Sequence, residues 1–330
     1  MRLMTLVLIS GMISTAHAGG GRVLRTVQLD QYTPTQFVTV SPAGTVYATG
    51  GDAIYAVSPQ GEVLWMSHAA PSDGVAHSIS LGADETIYTS MGIVQDQYAL
   101  IVALNPDGST KWQYVSPVCG SLVTGPNVGP DGNTYGMQSP APFNGLGVFA
   151  LDPAGNLLWS DPSDLSPDSP ADTFFCTSNI VFETDRLHTG YIAIGGFVNP
   201  SLHRFSLDGD LLWRTLDASP HTTSLPVVDP TDRLVCTWGQ TGMRALSPDG
   251  REEWFALHPN GASLVERPAI DSKGVIFTGE FVGVELWAIN PDGTTRWVRA
   301  PEADFLSDVA VSPDDQTIVA GGSALDAAWS

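Results

Sequence analysis

The side chains that could do chemistry are few and scattered. Four histidines, His68, His77, His221 and His258, fall in or beside connections between repeated strand pairs. No two of them have the close, fixed spacing of a metal pair or of a base with its orienting partner. Asp161, Asp164, Asp168 and Asp172 crowd one Ser/Pro-rich stretch. Hard carboxylates of this kind can hold calcium, but the spacing is not that of a calcium-binding hand, and a solvated acidic loop accounts for it. Glu266, Arg267 and Asp308 stand at the start of short apolar strands. With His77 they are the candidates for contact with a polar ligand, although mutual charge satisfaction around a wet central channel is the favoured reading of the three charged ones. The chain has no Gly-x-Ser-x-Gly elbow, no phosphate-cradling glycine loop and no His-Glu-x-x-His. No catalytic residue, metal ligand or cofactor is assigned.

What must position these groups is a repeat. Ala56-Val-Ser-Pro-Gln-Gly-Glu-Val-Leu-Trp65 recurs as segments ending at Trp112, Trp159, Trp213, Trp254 and Trp297, always with Gly four residues before Trp. The Trp spacings are 47, 47, 54, 41 and 43 residues. Within each copy an apolar strand reaches a Pro-Asp-Gly type of turn, and a second strand carries the Trp. Proline presets φ, Asp or Asn bonds the local backbone, and Gly accepts positive φ. The six tryptophans read as structural, a packing device between neighbouring units. A second series of hairpins lies between the first, from Gln36-Phe-Val-Thr-Val-Ser-Pro-Ala-Gly44 to Ser307-Asp-Val-Ala-Val-Ser-Pro-Asp-Asp315. Each period therefore holds four strands, A to D, the pattern of propeller blades.

The hairpins imply an all-β, seven-bladed β-propeller of four-stranded blades. The last unit, from Ser307, runs out after three strands. Gly21-Arg-Val-Leu-Arg25 matches Gly61-Glu-Val-Leu-Trp65, with Arg25 in the Trp place. The N-terminal strand is therefore expected to close the last blade and remove two free edges. A–B and C–D turns then share one face. The longer, more varied B–C and D–A loops share the other, the expected binding face: Met91 to Ala99, Gln138 to Gly147, Asp161 to Thr177, Leu216 to Thr223 and Ala256 to Val265.

Residues 1–18 read as a signal peptide. Arg2 precedes a mostly apolar run, Leu3 to Ser14, and Ala16-His-Ala18 matches the small-x-small cleavage pattern. Residues 19–330 are then a single propeller domain, exported to the periplasm or outside the cell, with no membrane span. The formal charge is −21, from 14 basic and 35 acidic residues, which disfavours nucleic acid as a partner. Export places the three cysteines in an oxidising compartment. Cys119 and Cys176 both precede inner strands of adjacent repeats, so a Cys119–Cys176 disulfide is expected. Cys236, within a B strand, is expected as a buried thiol.

The Ala-Leu-x-Pro-Asp-Gly-x-x-x-Trp copies resemble the pyrroloquinoline-quinone-like (PQQ-like) repeats of quinoprotein dehydrogenases and of the lipoprotein propeller that helps to assemble outer-membrane barrels. The resemblance spans about Gly21 to Ser330 and implies the fold. It does not imply the cofactor: the quinoprotein enzymes have eight blades, a vicinal Cys-Cys pair and a carboxylate–amide calcium site. This chain has no Cys-Cys pair and about half their length. It also lacks the anchoring Cys of the lipoprotein. Two readings follow. The favoured one is a monomeric, non-enzymatic binding or scaffold protein for a protein, peptide or cell-envelope component. The alternative is a quinone- or metal-dependent oxidoreductase, or another small-ligand enzyme, working on the long-loop face.

Overall fold

The computed structural model describes residues 5–9, 23–27, 29, 35–68, 74–76, 78–93, 98–116, 122–139, 147–161, 180–182, 189–194, 201–208, 210–216, 226–238, 242–261, 268–279, 285–299 and 305–323. All elements among them are β-strands. β1 (Thr5–Ile9) and β2 (Val23–Thr26) precede a first sheet of β3 (Thr35–Val40), β4 (Val46–Gly50), β5 (Ala53–Val57) and β6 (Val63–Ser67). The second sheet holds β7 (Gly74–Ala76), β8 (Ser80–Leu81), β9 (Ile87–Ile93), β10 (Tyr98–Leu104) and β11 (Thr110–Val115). The third has β12 (Leu122–Val128), β13 (Thr134–Ser139), β14 (Gly147–Leu151) and β15 (Leu157–Asp161). The fourth has β16 (Ile180–Phe182), β17 (Thr189–Ile194), β18 (Ser201–Ser206) and β19 (Leu211–Leu216). The fifth has β20 (Val227–Val228), β21 (Leu234–Trp238), β22 (Gly242–Leu246) and β23 (Glu252–Leu257). The sixth has β24 (Ala269–Ile270), β25 (Ile276–Gly279), β26 (Leu286–Ile289) and β27 (Thr295–Arg299). β28 (Phe305–Val311) and β29 (Thr317–Ser323) join β1 and β2 in a closing sheet.

The molecule is an all-β propeller with four-stranded blades. The expected count of seven regular blades needs correction: five sheets, the first, third, fourth, fifth and sixth, are plain meanders of four consecutive strands. The second departs because its innermost strand is broken into β7 and β8, which pair with different parts of β9. At the break Ser78 Oγ takes the place of a ladder partner, accepting from Ser90 N at 3.3 Å and meeting Ser90 Oγ at 2.8 Å. The closing sheet departs more. β2 is outermost, as expected of the N-terminal strand, but the third place is held by β1. A regular third strand is antiparallel to both neighbours, whereas β1 is parallel to both β29 and β2. Contacts between innermost strands run from β3 to β8, β12, β16, β20, β24 and β28, and return to β3.

The turns follow the repeat chemistry. In five of the C–D turns the Gly adopts φ of 83–85°, at Gly61, Gly108, Gly155, Gly250 and Gly293. A β-bulge follows at once, between Ala56 and Val57 in the first sheet and at the matching place in the other five repeats. A left-handed residue after a tight turn produces this bulge and matches the strand twist. Aspartates brace the turns on this face. Asp229 accepts from Thr231 N and Arg233 N and pairs with the Arg233 guanidinium at 2.6 Å. Both lysines of the chain are spent here, Lys111 on Asp84 and Lys273 on Asp315, each at 2.9 Å. Partial burial raises the Asp84 pKa, but hydrogen bonds from Lys111 and Thr86 outweigh it and bring the group down to about 2.

The hydrophobic core is divided among the gaps between sheets. Ile54, Ala56, Tyr47 and Trp65 of the first sheet meet Ile87, Met91 and Val102 of the second. Phe277, Ala288 and Trp297 of the sixth meet Val309, Ile318 and Ala320 of the closing sheet. Every repeated Trp lies opposite a small residue on its own sheet, Ala56, Ala103, Ala150, Ala245 or Ala288. The exception is Trp213, opposite Arg204. Alanine there leaves room for the indole, which is half-buried and leans towards the next sheet.

The indole also bonds that next sheet. Trp65 Nε1 donates to the Pro106 carbonyl at 2.9 Å, and Trp112, Trp213 and Trp254 donate to Pro153, Pro248 and Pro291 at 3.0 Å. The ring rests on the turn glycine beyond: a Cβ on Gly155 would stand 2.6 Å from the Trp112 ring, and one on Gly293 2.8 Å from that of Trp254. Trp112→Ala should therefore lower unfolding stability by roughly 2–4 kcal/mol, a little below the cost of deleting a fully buried aromatic. Denaturant unfolding of the variant checks this; wild-type stability would mean that the indoles do not hold the sheets together.

Candidate binding surfaces

The long-loop face carries few of the expected site residues within the described structure. His77, Glu266 and Arg267 lie outside the described residues, as do His221, Cys119 and Cys176. Some expected loops are shorter than the sequence suggested. β9 and β10 pair through Ile93 and Tyr98, so the Met91 to Ala99 connection shrinks to residues 94–97. In the first sheet Gly50 pairs directly with Ala53 across Gly51, whose φ is 61°.

Asp308 needs correction as a binding candidate. It is 1% exposed, and its carboxylate faces backbone rather than solvent. The register of β28 slips between Leu306 and Asp308. There Oδ2 accepts from Val38 N at 3.0 Å, and Oδ1 from its neighbour Val309 N. Asp308 thus ties the closing sheet to β3 of the first. Ser80 makes an equivalent tie, donating to the Pro126 carbonyl of the third sheet at 2.5 Å. In the first sheet Thr49 Oγ1 accepts from Phe37 N at the bulge of β3. The buried polar side chains near the ring centre therefore serve the bulges of the inner strands.

The remaining histidines of the face are separate. His68 Nδ1 lies 3.2 Å from Asp52 Oδ2 and joins the end of β6 to the β4–β5 turn. His258 is buried, edge-on to Trp287 with ring centres 5.0 Å apart, and accepts from Asn260 N through Nδ1. Burial lowers its pKa, against a smaller raising effect of Glu285. Cys236 is buried and is not part of a disulfide, as expected. Among the described residues no three His, Cys, Asp or Glu side chains converge as a metal site would require.

A surface that the motif reading passed over lies on the outer strands. The exposed large apolar side chains among the described residues are Val63, Leu64, Met66, Val115, Leu157, Leu158, Leu212, Phe255 and Leu257. All belong to β6, β11, β15, β19 or β23, the outermost strands of five successive sheets. The signal was present in Val-Leu-Trp-Met and Leu-Leu-Trp. On a strand, the residues on either side of an inward Trp must point outward. Leu64, Leu158 and Leu212, each just before its Trp in the first, third and fourth sheets, are about half exposed; the same place holds Lys111, Glu253 and Arg296 in the other repeats.

The family described as outer membrane protein assembly factor BamB matches residues 10–173. This match, with the propeller fold, supports a PQQ-like propeller family for the chain. Among curated proteins no sequence matches this PQQ-like propeller. Solved structures resemble it in fold. Virginiamycin B lyase from Staphylococcus aureus aligns with a TM-score of 0.67 and 13% identity over 86% of this chain and 90% of the lyase. The Dos1 propeller gives 0.64 and 8% identity over 98% and 90% of the two chains. A chain of the mitotic checkpoint complex gives 0.67 and 11% over 90% and 86%. Identities this low speak for the fold alone.

Asp308→Ala should leave the Val38 and Val309 N–H groups without their acceptor in a buried setting, at a cost of about 1–3 kcal/mol. The expected outcome is a lower melting temperature. An unchanged melt would return Asp308 to the list of binding residues.

Proposed function

We propose that this PQQ-like propeller is exported and acts without catalysis, as a scaffold that binds a protein or peptide at the cell envelope. The observation that carries the reading is the row of exposed apolar side chains on the outer strands. Exposed large apolar side chains on the outer strands of five successive sheets are the kind of surface that marks an interaction site. The net charge of −21 accompanies it, which suits a protein surface as partner better than a phosphate backbone. The N-terminal apolar run with Ala16-His-Ala18 supports export; cleavage after Ala18 would remove β1, so in this reading the closing sheet of the mature chain keeps β2, β28 and β29 and loses β1. The long-loop face, with His77, Glu266 and Arg267, is a second contact surface in this reading. The family match supports an envelope role, since its description is that of an assembly factor for outer membrane proteins.

A photo-crosslinking amino acid at Leu64, Leu158 or Leu212 tests the surface in the cell of origin. Discrete adducts to one partner are expected, absent when the label sits at the exposed turn residue Asp107. Equal labelling at both places, or none at the leucines, would contradict the reading. Export also bears on the thiols. With Cys119 paired to Cys176, the unfolded but unreduced protein should show one reactive thiol, that of Cys236. Three reactive thiols would remove the disulfide.

A further inference from the structure

One strand of the closing sheet breaks the pattern of the others. In the first sheet, as in the other meanders, the third strand follows directly on the second and is antiparallel to both neighbours. In the closing sheet β1 holds that place. It runs parallel to β29, from Thr5 on Thr317 to Ile9 on Gly321, and parallel to β2 on its other side, with an irregularity between Leu6 and Val7. β2 thus has the direction of β29, as an outermost strand has that of the second strand in a meander, so only the strand between them is reversed. A parallel ladder is slightly weaker per residue than an antiparallel one.

The chain beyond β29 carries the hairpin of a regular third strand. In the first sheet Gly50-Gly-Asp-Ala-Ile-Tyr-Ala56 makes the turn out of β4 and most of β5. β4 stops at Gly50, which pairs with Ala53 across Gly51 at φ of 61°. Gly321-Gly-Ser-Ala-Leu-Asp-Ala327 repeats this segment and keeps both glycines and both alanines. Ala327 matches Ala56, the small residue opposite the outer-strand Trp. Yet β29 does not turn at the glycine doublet. It runs on to Ser323, with Gly321 on Ile9 and Gly322 on Leu306. Two successive glycines make a good hairpin turn and a poor strand. Residues 324–330 lie outside the described residues.

We infer that the place between β29 and β2 is contested within the chain: β1 holds it before signal cleavage, and residues 324–329 take it afterwards. The inference rests on the export reading above. Cleavage after Ala18 removes β1 and leaves the facing edges of β29 and β2 unpaired, a state that sheet proteins avoid. The Gly321-Gly322 doublet then folds as Gly50-Gly51 does, and residues 324–329 enter antiparallel to both neighbours, as β5 does. The leader of the precursor is a place-holder, and its removal gives the closing sheet the strand directions of a meander.

Hydrogen exchange followed by mass spectrometry on two purified chains, 1–330 and 19–330, tests the handover. Amides of residues 324–329 should exchange at least roughly tenfold more slowly in the mature chain than in the precursor, where β1 keeps the segment out. Deleting residues 324–330 should lower the melting temperature of the mature chain and leave that of the precursor unchanged. Equal exchange of 324–329 in the two chains would overturn the inference, as would a deletion that costs both chains the same. A mature chain that fails to fold would overturn it too, since no segment would then have replaced β1. The N-terminus of the protein isolated from its own cells checks the export reading separately. A chain that still begins at Met1 would remove that reading, whereas the contest between the two segments is decided by the purified chains alone.

Discussion

The structure depends on a contact that crosses from one sheet to the next. Within a sheet, backbone ladders hold the strands. Between sheets there is no ladder, and cohesion rests on apolar packing with a few directed bonds. The repeated indole supplies both. It packs on the turn glycine of the next sheet and donates to the proline carbonyl of that turn at 2.9–3.0 Å. Alanine opposite the Trp, glycine at positive φ, and proline with its carbonyl exposed are all consequences of this one fit. Where the repeat departs, the fit loosens. Arg204 replaces the small residue opposite Trp213 and donates to the same Pro248 carbonyl at 2.7 Å. There a Cβ on Gly250 would sit 3.6 Å from the ring, against 2.6–2.8 Å at Gly108, Gly155 and Gly293.

Much of this was legible because it is periodic. A Trp four residues after a Gly, in six copies, declares strand, turn and packing partner together. The four-strand period followed from the same spacing. What is not periodic was harder to read. The closing sheet draws on both ends of the chain, and no local pattern shows that β1, in the apolar N-terminal run, pairs parallel with β29. The break between β7 and β8 depends on Ser78 reaching Ser90, a contact 12 residues apart that no motif announces.

The candidate site was less legible than the fold. Asp308 was read as a channel-mouth charge because strand position alone does not say which way a carboxylate turns. The bulge in β28 turns it onto Val38 N, and a charged residue became an interior clamp. The outer-strand leucines were hidden by the opposite bias, since apolar residues on a strand are read as core. Only their alternation with an inward Trp shows that Leu64, Leu158 and Leu212 must face water.

A double-mutant cycle between Trp254 and Gly293 tests the central claim most directly. Gly293→Ala carries a strain cost from its φ of 84° in any background. Its clash with the ring exists only while Trp254 is present. The cycle should therefore show a coupling on the order of 1–2 kcal/mol, within the range of residues in direct contact. Additive losses would mean that the indole and the next sheet's turn are energetically independent, and the latch would not be what holds the propeller together.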